Sequence, residues 1–111
     1  MSHLALCTYR VKEDRADEFL GHLRKHWPTL HQFELVTPDH HLILRGAEED
    51  GKPFFVELLS WSSPEAPRLA EQLPEVLRIW EPMGKLCEAR RGLPPMEFPI
   101  VSLVNGVDES G

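Results

Sequence analysis

The sequence predicts an α+β fold in which an antiparallel sheet carries all of its helices on one face. Two observations lead there. Strand and helix patterns follow one another in the order β-α-β-β-α-β. The total of 111 residues, 41% hydrophobic and 27% charged, suits one globular domain and is too short for two. A single domain is expected over residues 1–104, followed by a polar tail at 105–111.

Residues 3–11 alternate as a strand, with Leu4, Leu6 and Thr8 on one side and Ala5, Cys7 and Tyr9 on the other. A turn at 12–14 leads into a helix whose start carries Asp14, Asp17 and Glu18, where acids meet the positive end of the helix dipole. Ala16, Phe19, Leu20, Leu23, Trp27 and Leu30 form its apolar stripe, and Pro28 is expected to kink or restart it. Residues 34–40 read as a connector around Thr37-Pro38-Asp39, and 41–47 as the second strand. Glu49-Asp50-Gly51-Lys52 is a hairpin turn leading to the third strand at 54–61. Ser62 and Glu65 have capping-box spacing and Pro64 suits a first turn, so a helix is expected to follow at once. A second helical piece is expected from Pro74 towards Arg90, with Val76, Ile79, Trp80, Met83 and Cys87 along one side and a break at Pro82. Residues 98–104 supply the last strand. The order is that of the ferredoxin-like split βαβ.

Twelve Lys and Arg against 18 Asp and Glu give a formal charge of −6. Nucleic acids and anionic membranes attract net basic surfaces, so neither is an expected partner. No apolar run approaches the roughly 18 residues of a membrane span. The opening Met1-Ser2-His3-Leu4 lacks the features of a secretory leader. Cys7 and Cys87 form no CxxC pair, which fits a reducing, cytoplasmic setting.

The third strand is apolar on both sides: Phe54, Val56 and Leu58 point one way, while Phe55, Leu59 and Trp61 point the other. The first strand repeats this. Helices on one face leave the second apolar face to another chain, so a homodimer packed sheet to sheet is expected.

The stretch from Phe54 to Ala66, a strand carrying Glu57 and Trp61 followed by a short polar cap, resembles a pattern of the antibiotic-biosynthesis-monooxygenase-like family. The opening Leu6-Cys7-Thr8-Tyr9-Arg10-Val11-Lys12, followed by an acidic helix with Phe19-Leu20, is similar to it as well. The resemblance implies a dimeric α/β barrel with a ligand cavity between the sheet and the helices of each subunit. The chain departs from the haem-degrading branch, which pairs an early-strand Asn with a His on a later helix. Its single Asn is Asn105, and no His follows His41. The activity implied is cofactor-independent oxygenation of a small aromatic or quinol-type compound. The alternative is a non-catalytic small-molecule-binding or structural dimer of the same fold.

Such oxygenation needs a dry, aromatic-lined cavity and a general base, because the deprotonated substrate itself supplies electrons to O₂. Trp27, Trp61 and Trp80 are candidate walls, with Tyr9 as a polar handle. His26 or His31 is the candidate base, since imidazole titrates near neutrality. The competing reading makes the tryptophans core and the histidines boundary residues. Glu57, set between Val56 and Leu58, requires a partner if it is buried. It is a base or substrate-orienting group, or else a structural partner of Arg10, Arg45 or the backbone. No metal is expected. His22 and His26 have i,i+4 spacing without an HExxH motif, and adjacent His40 and His41 face opposite ways on a strand. Cys7 and Cys87 read as buried thiols, and no Gly-rich phosphate loop is present.

Overall fold

Alternation with period two in residues 3–10 sends Ala5, Cys7 and Tyr9 to one side of a strand that becomes the middle of the sheet. A computed structural model describes residues 3–104. Its elements are β1 (His3–Arg10), α1 (Ala16–Gln32), β2 (Val36–Ala47), β3 (Pro53–Trp61), α2 (Ala66–Ala70), α3 (Pro74–Lys85), β4 (Met96–Glu97) and β5 (Ile100–Val101). The strand order is β2-β3-β1-β4, with β5 also paired to β1, and all pairings are antiparallel. This is the expected ferredoxin-like arrangement. The polar tail at 105–111 lies outside the described residues.

The register pairs Cys7 with Glu57 and Tyr9 with Phe55 across β1 and β3, and Ile43 with Glu57 across β2 and β3. Paired residues share a face, so these side chains point together towards the helices. The core there joins Tyr9, Phe19, Phe55, Leu23, Leu30 and Leu59, all buried. The opposite face carries Leu6, Leu42, Leu44, Phe54, Val56 and Leu58. Of these, Leu42 and Leu44 are 43% and 58% exposed. No helix among the described residues is long and apolar enough to cross a membrane.

Several local expectations are corrected. The α1 helix does not restart at Pro28, and α3 continues through Pro82 where a break was expected. Each proline costs its helix one backbone hydrogen bond, since it has no N–H to donate. The buried stripe of α1 is Ala16, Phe19, Leu23, His26 and Leu30, with Trp27 only half-buried. Its 3-4-3-4 spacing passes through the histidine because a buried carboxylate lies beneath it. The capping box does not form. The Ser62 hydroxyl instead donates to the Glu34 carbonyl at 2.9 Å, and α2 starts later with no side-chain cap. The second strand begins earlier than expected, at Val36, and its register slips between Thr37 and Leu42, where His40 adopts φ 57°. The α3 helix ends at Lys85, short of Arg90, and the last strand is split into β4 and β5 around Phe98-Pro99. Proline there has no N–H for the ladder.

Two arginines fix one end of the sheet, where β1 finishes and β3 begins. The Arg10 guanidinium donates to the Pro94 carbonyl at 2.7 Å and to Glu97 Oε1 at 2.8 Å. The Arg90 guanidinium donates to the carbonyls of Pro53 and Val11.

Candidate active site

A carboxylate in the middle of a central strand is the least expected residue on an inward face, and everything polar nearby is organised around it. Glu57 is completely buried. Its Oε1 accepts from the Tyr9 hydroxyl at 2.8 Å and from His26 Nδ1 at 2.8 Å. Its Oε2 faces His41 Nε2 at 3.3 Å. Burial pushes the Glu57 carboxyl up, but the bonds from His26, His41 and Tyr9 outweigh it and hold the group at about 2. The carboxylate is therefore ionised and acts purely as an acceptor. Neither Arg10 nor Arg45 reaches it. Arg10 is bound to Pro94 and Glu97, while Arg45 lies over the Phe55 ring.

The tautomer of His26 follows from its two neighbours. Trp80 Nε1 can only donate, and it points at His26 Nε2 from 2.8 Å. His26 Nε2 thus accepts, and the imidazole proton sits on Nδ1, where it is given to Glu57. This arrangement orders the indole, the imidazole and the carboxylate in one line of polarity.

His26 and Trp80 border a cavity of about 400 Å³, enough for a small organic ligand. Cys7 and Tyr9 of β1 form its floor, Met96, Phe98 and Ile100 one side, and Met83 of α3 and Pro67 of α2 part of its cover. Trp61 lines it too, and Glu71 supplies the acidic group. Burial, then the charge of Glu57, raises the Cys7 thiol to about 12 and lifts the Tyr9 phenol well above its usual value. Both stay protonated, so neither is a nucleophile or a base. Burial likewise raises Cys87 to about 12. Both cysteines are buried and free, as the sequence suggested.

The cavity brings together Tyr9, His26, Trp61 and Trp80 from the candidate set, with Glu57 directly behind. Trp27 and His31 lie outside its lining. Trp27 is instead sandwiched between imidazoles, with ring centroids 4.7 Å from His31 and 4.8 Å from His41. The buried Trp27 Nε1 finds no partner among the described residues. The Tyr9 hydroxyl is spent on Glu57 rather than offered to the cavity. Two imidazoles and a carboxylate are a familiar metal donor set. However, the imidazoles approach different oxygens, and no group of three or more such residues among those described is arranged to hold a metal ion.

Solved structures share this architecture. SnoaB, a cofactor-independent oxygenase from Streptomyces nogalater, is similar over 97% of this chain and 98% of its own, with TM-score 0.65 and 17% identity. A candidate antibiotic biosynthesis monooxygenase from Nitrosomonas europaea gives TM-score 0.66 at 11% identity, covering 95% of this chain and 92% of its own. The chain shares their fold. A dimeric ferredoxin-like protein of unknown function from Jannaschia sp. CCS1 shares it at TM-score 0.62 and 13% identity, over 93% of this chain and 100% of its own. No family model matches the sequence, and no curated protein matches it.

Within this fold, His41 is the member of the polar network that sequence reasoning did not single out. Its signal is positional. Ile43 is paired with Glu57, so His41, two residues back on the same face, lies one diagonal step from the carboxylate.

Proposed function

We propose that this chain is a cofactor-independent, monooxygenase-like protein acting on a small aromatic or quinol-type compound, with His26 as the general base. The observation that carries the reading is the state of His26. It lines the cavity, its Nδ1–H is anchored on a buried carboxylate, and its Nε2 is covered by a single indole N–H. An entering hydroxy-aromatic takes the Trp80 N–H onto its own oxygen and passes its proton to the freed Nε2. Glu57 then stabilises the imidazolium, and Trp80 stabilises the oxyanion. The deprotonated ring supplies the electrons that O₂ accepts, so a bound cofactor is not required. Trp61 and Trp80 act as walls, while Trp27 and His31 serve the network from outside the cavity.

The exposed apolar sheet face supports a homodimer, and the similar Jannaschia protein is described as dimeric. A second reading, a non-catalytic small-molecule-binding dimer, is favoured by one fact: the base nitrogen is already engaged by Trp80. Oxygen consumption with a panel of dihydroxy-aromatics separates the two. Turnover is expected in the parent chain and in His31→Ala, with a loss of about 100-fold or more in His26→Ala. Equal turnover in His26→Ala removes the histidine from the chemistry. Binding without any oxygen uptake by the parent chain selects the non-catalytic reading.

A further inference from the structure

Glu57 holds two imidazoles, one on each oxygen. His26 at Oε1 borders the cavity, and His41 at Oε2 stands away from it. We propose that His41 is a positioning residue that controls, through Glu57, whether His26 is free to take a proton. The inference rests on the reading of His26 as the base.

One buried carboxylate compensates one imidazolium. A second proton on the same unit leaves a net positive charge in a region of low dielectric, and such uncompensated charge is costly. Among the described residues no Lys or Arg side chain is bonded to Glu57, His26 or His41, so the network carries a single formal negative charge. Protonation of His41 therefore opposes protonation of His26.

The surroundings decide which imidazole takes the proton in the resting protein. The His41 side chain is 25% exposed and that of His26 only 5%. His41 lies flat on Trp27, at an interplanar angle of 21°, and an indole face stabilises a cation. His26 gains a proton at Nε2 only by expelling the Trp80 N–H. Other titratable groups reach the network from several elements. Tyr9 and Cys7 come from β1, and both are held protonated. His31 of α1 stacks on the far side of Trp27, and Glu71 after α2 shares the cavity with His26. A first proton added to the network therefore goes to His41 rather than His26. With His41 charged, Glu57 is already neutralised and His26 loses its basicity. With His41 neutral, the full charge of Glu57 stands behind His26 when substrate displaces the indole.

The test is a ¹⁵N–¹H NMR titration of the histidine side chains in the ligand-free full chain and in His41→Gln, which keeps a donor for Oε2. In the parent chain His26 is expected to remain a neutral Nδ1–H tautomer while His41 takes up its proton. The His26 signals should move at the His41 midpoint. In His41→Gln that step disappears, and His26 is protonated at a pH higher by about one unit or more, a tenfold gain in proton affinity. The acid limb of kcat/KM should follow the His41 midpoint in the parent chain and the His26 midpoint in the variant. A His26 midpoint that is the same in both chains overturns the inference, whatever the activity. So does simultaneous protonation of both rings in the parent chain, a result that needs no variant. Coupled titration in a protein that consumes no oxygen upholds the coupling and overturns the oxygenase reading instead.

Discussion

Trp80 Nε1 stands 2.8 Å from His26 Nε2, and because indole can only donate, this bond alone assigns the imidazole tautomer. It also means that His26 Nε2 is covered until something else accepts the indole hydrogen. If His26 is the base, as proposed, substrate entry and base activation are one event.

Trp80→Phe keeps the aromatic wall and removes the hydrogen. If the indole N–H receives the developing oxyanion, turnover on dihydroxy-aromatics should fall by about 100-fold, the usual effect of losing one such donor. Folding stability should change by only about 1 kcal/mol, since one hydrogen bond is lost. Oxygen-electrode kinetics and urea unfolding measure the two. Turnover within about threefold of the parent would leave the indole without a role in the chemistry.

Glu57 links stability to acid. Its carboxyl is held at about 2 in the folded chain against an ordinary value of 4.5. A depressed folded value means that the contribution is complete above the unfolded value and is lost as pH falls from about 4.5 towards 2. The difference corresponds to about 3 kcal/mol. Urea midpoints measured across this range should fall steeply for the parent chain. Glu57→Gln should start lower, with three donors facing an amide, and vary less with pH. Parallel curves for the two chains would show that Glu57 does not carry the acid sensitivity.

Arg10 holds the strap that forms one side of the cavity. Its guanidinium binds the Pro94 carbonyl and Glu97, on either side of Met96. Arg10→Met keeps the stem and removes both contacts. Amide exchange should accelerate by about tenfold over residues 95–101, with the β1–β3 ladder unchanged. Equal protection in that segment would mean that the short β4 and β5 pairings suffice to hold it.

The exposed face of the sheet has its own test. Light scattering at micromolar concentration should return the mass of two chains for the parent protein. Leu44→Asp, which places a charge on a side chain 58% exposed in the single chain, should return the mass of one. A one-chain mass for the parent protein would remove the proposed dimer.

Much of the fold was legible because β1 and β3 are short apolar runs bounded by turn signals, with Asp50-Gly51 marking the hairpin. Glu57 was legible for the same reason, as a charge in a run of apolar residues. The position of His26 was harder to read. Hydrophobicity ranks Trp27 above it, although the 16, 19, 23, 26, 30 spacing already passed through the histidine. Imidazole counts as polar until its carboxylate partner is known, and that partner lies 31 residues away. Ser62 shows the converse failure. Its spacing to Glu65 suits a cap, but the hydroxyl is taken by Glu34, a tertiary competitor invisible to local pattern. The slip in β2 was half visible, since Pro38 marks an irregularity without giving its size.

That slip has a consequence for how copies of this chain can meet. The β2 rim is interrupted by Pro38 and by left-handed His40, and the opposite rim by Pro94, Pro95 and Pro99. Rims broken in this way leave a foreign strand only the short run 42–47 of β2 to extend. Growth by hydrogen bonding from edge to edge, the route to open-ended fibres, is curtailed. The flat of the sheet is the larger surface, and a flat that closes on its own copy ends the count at two.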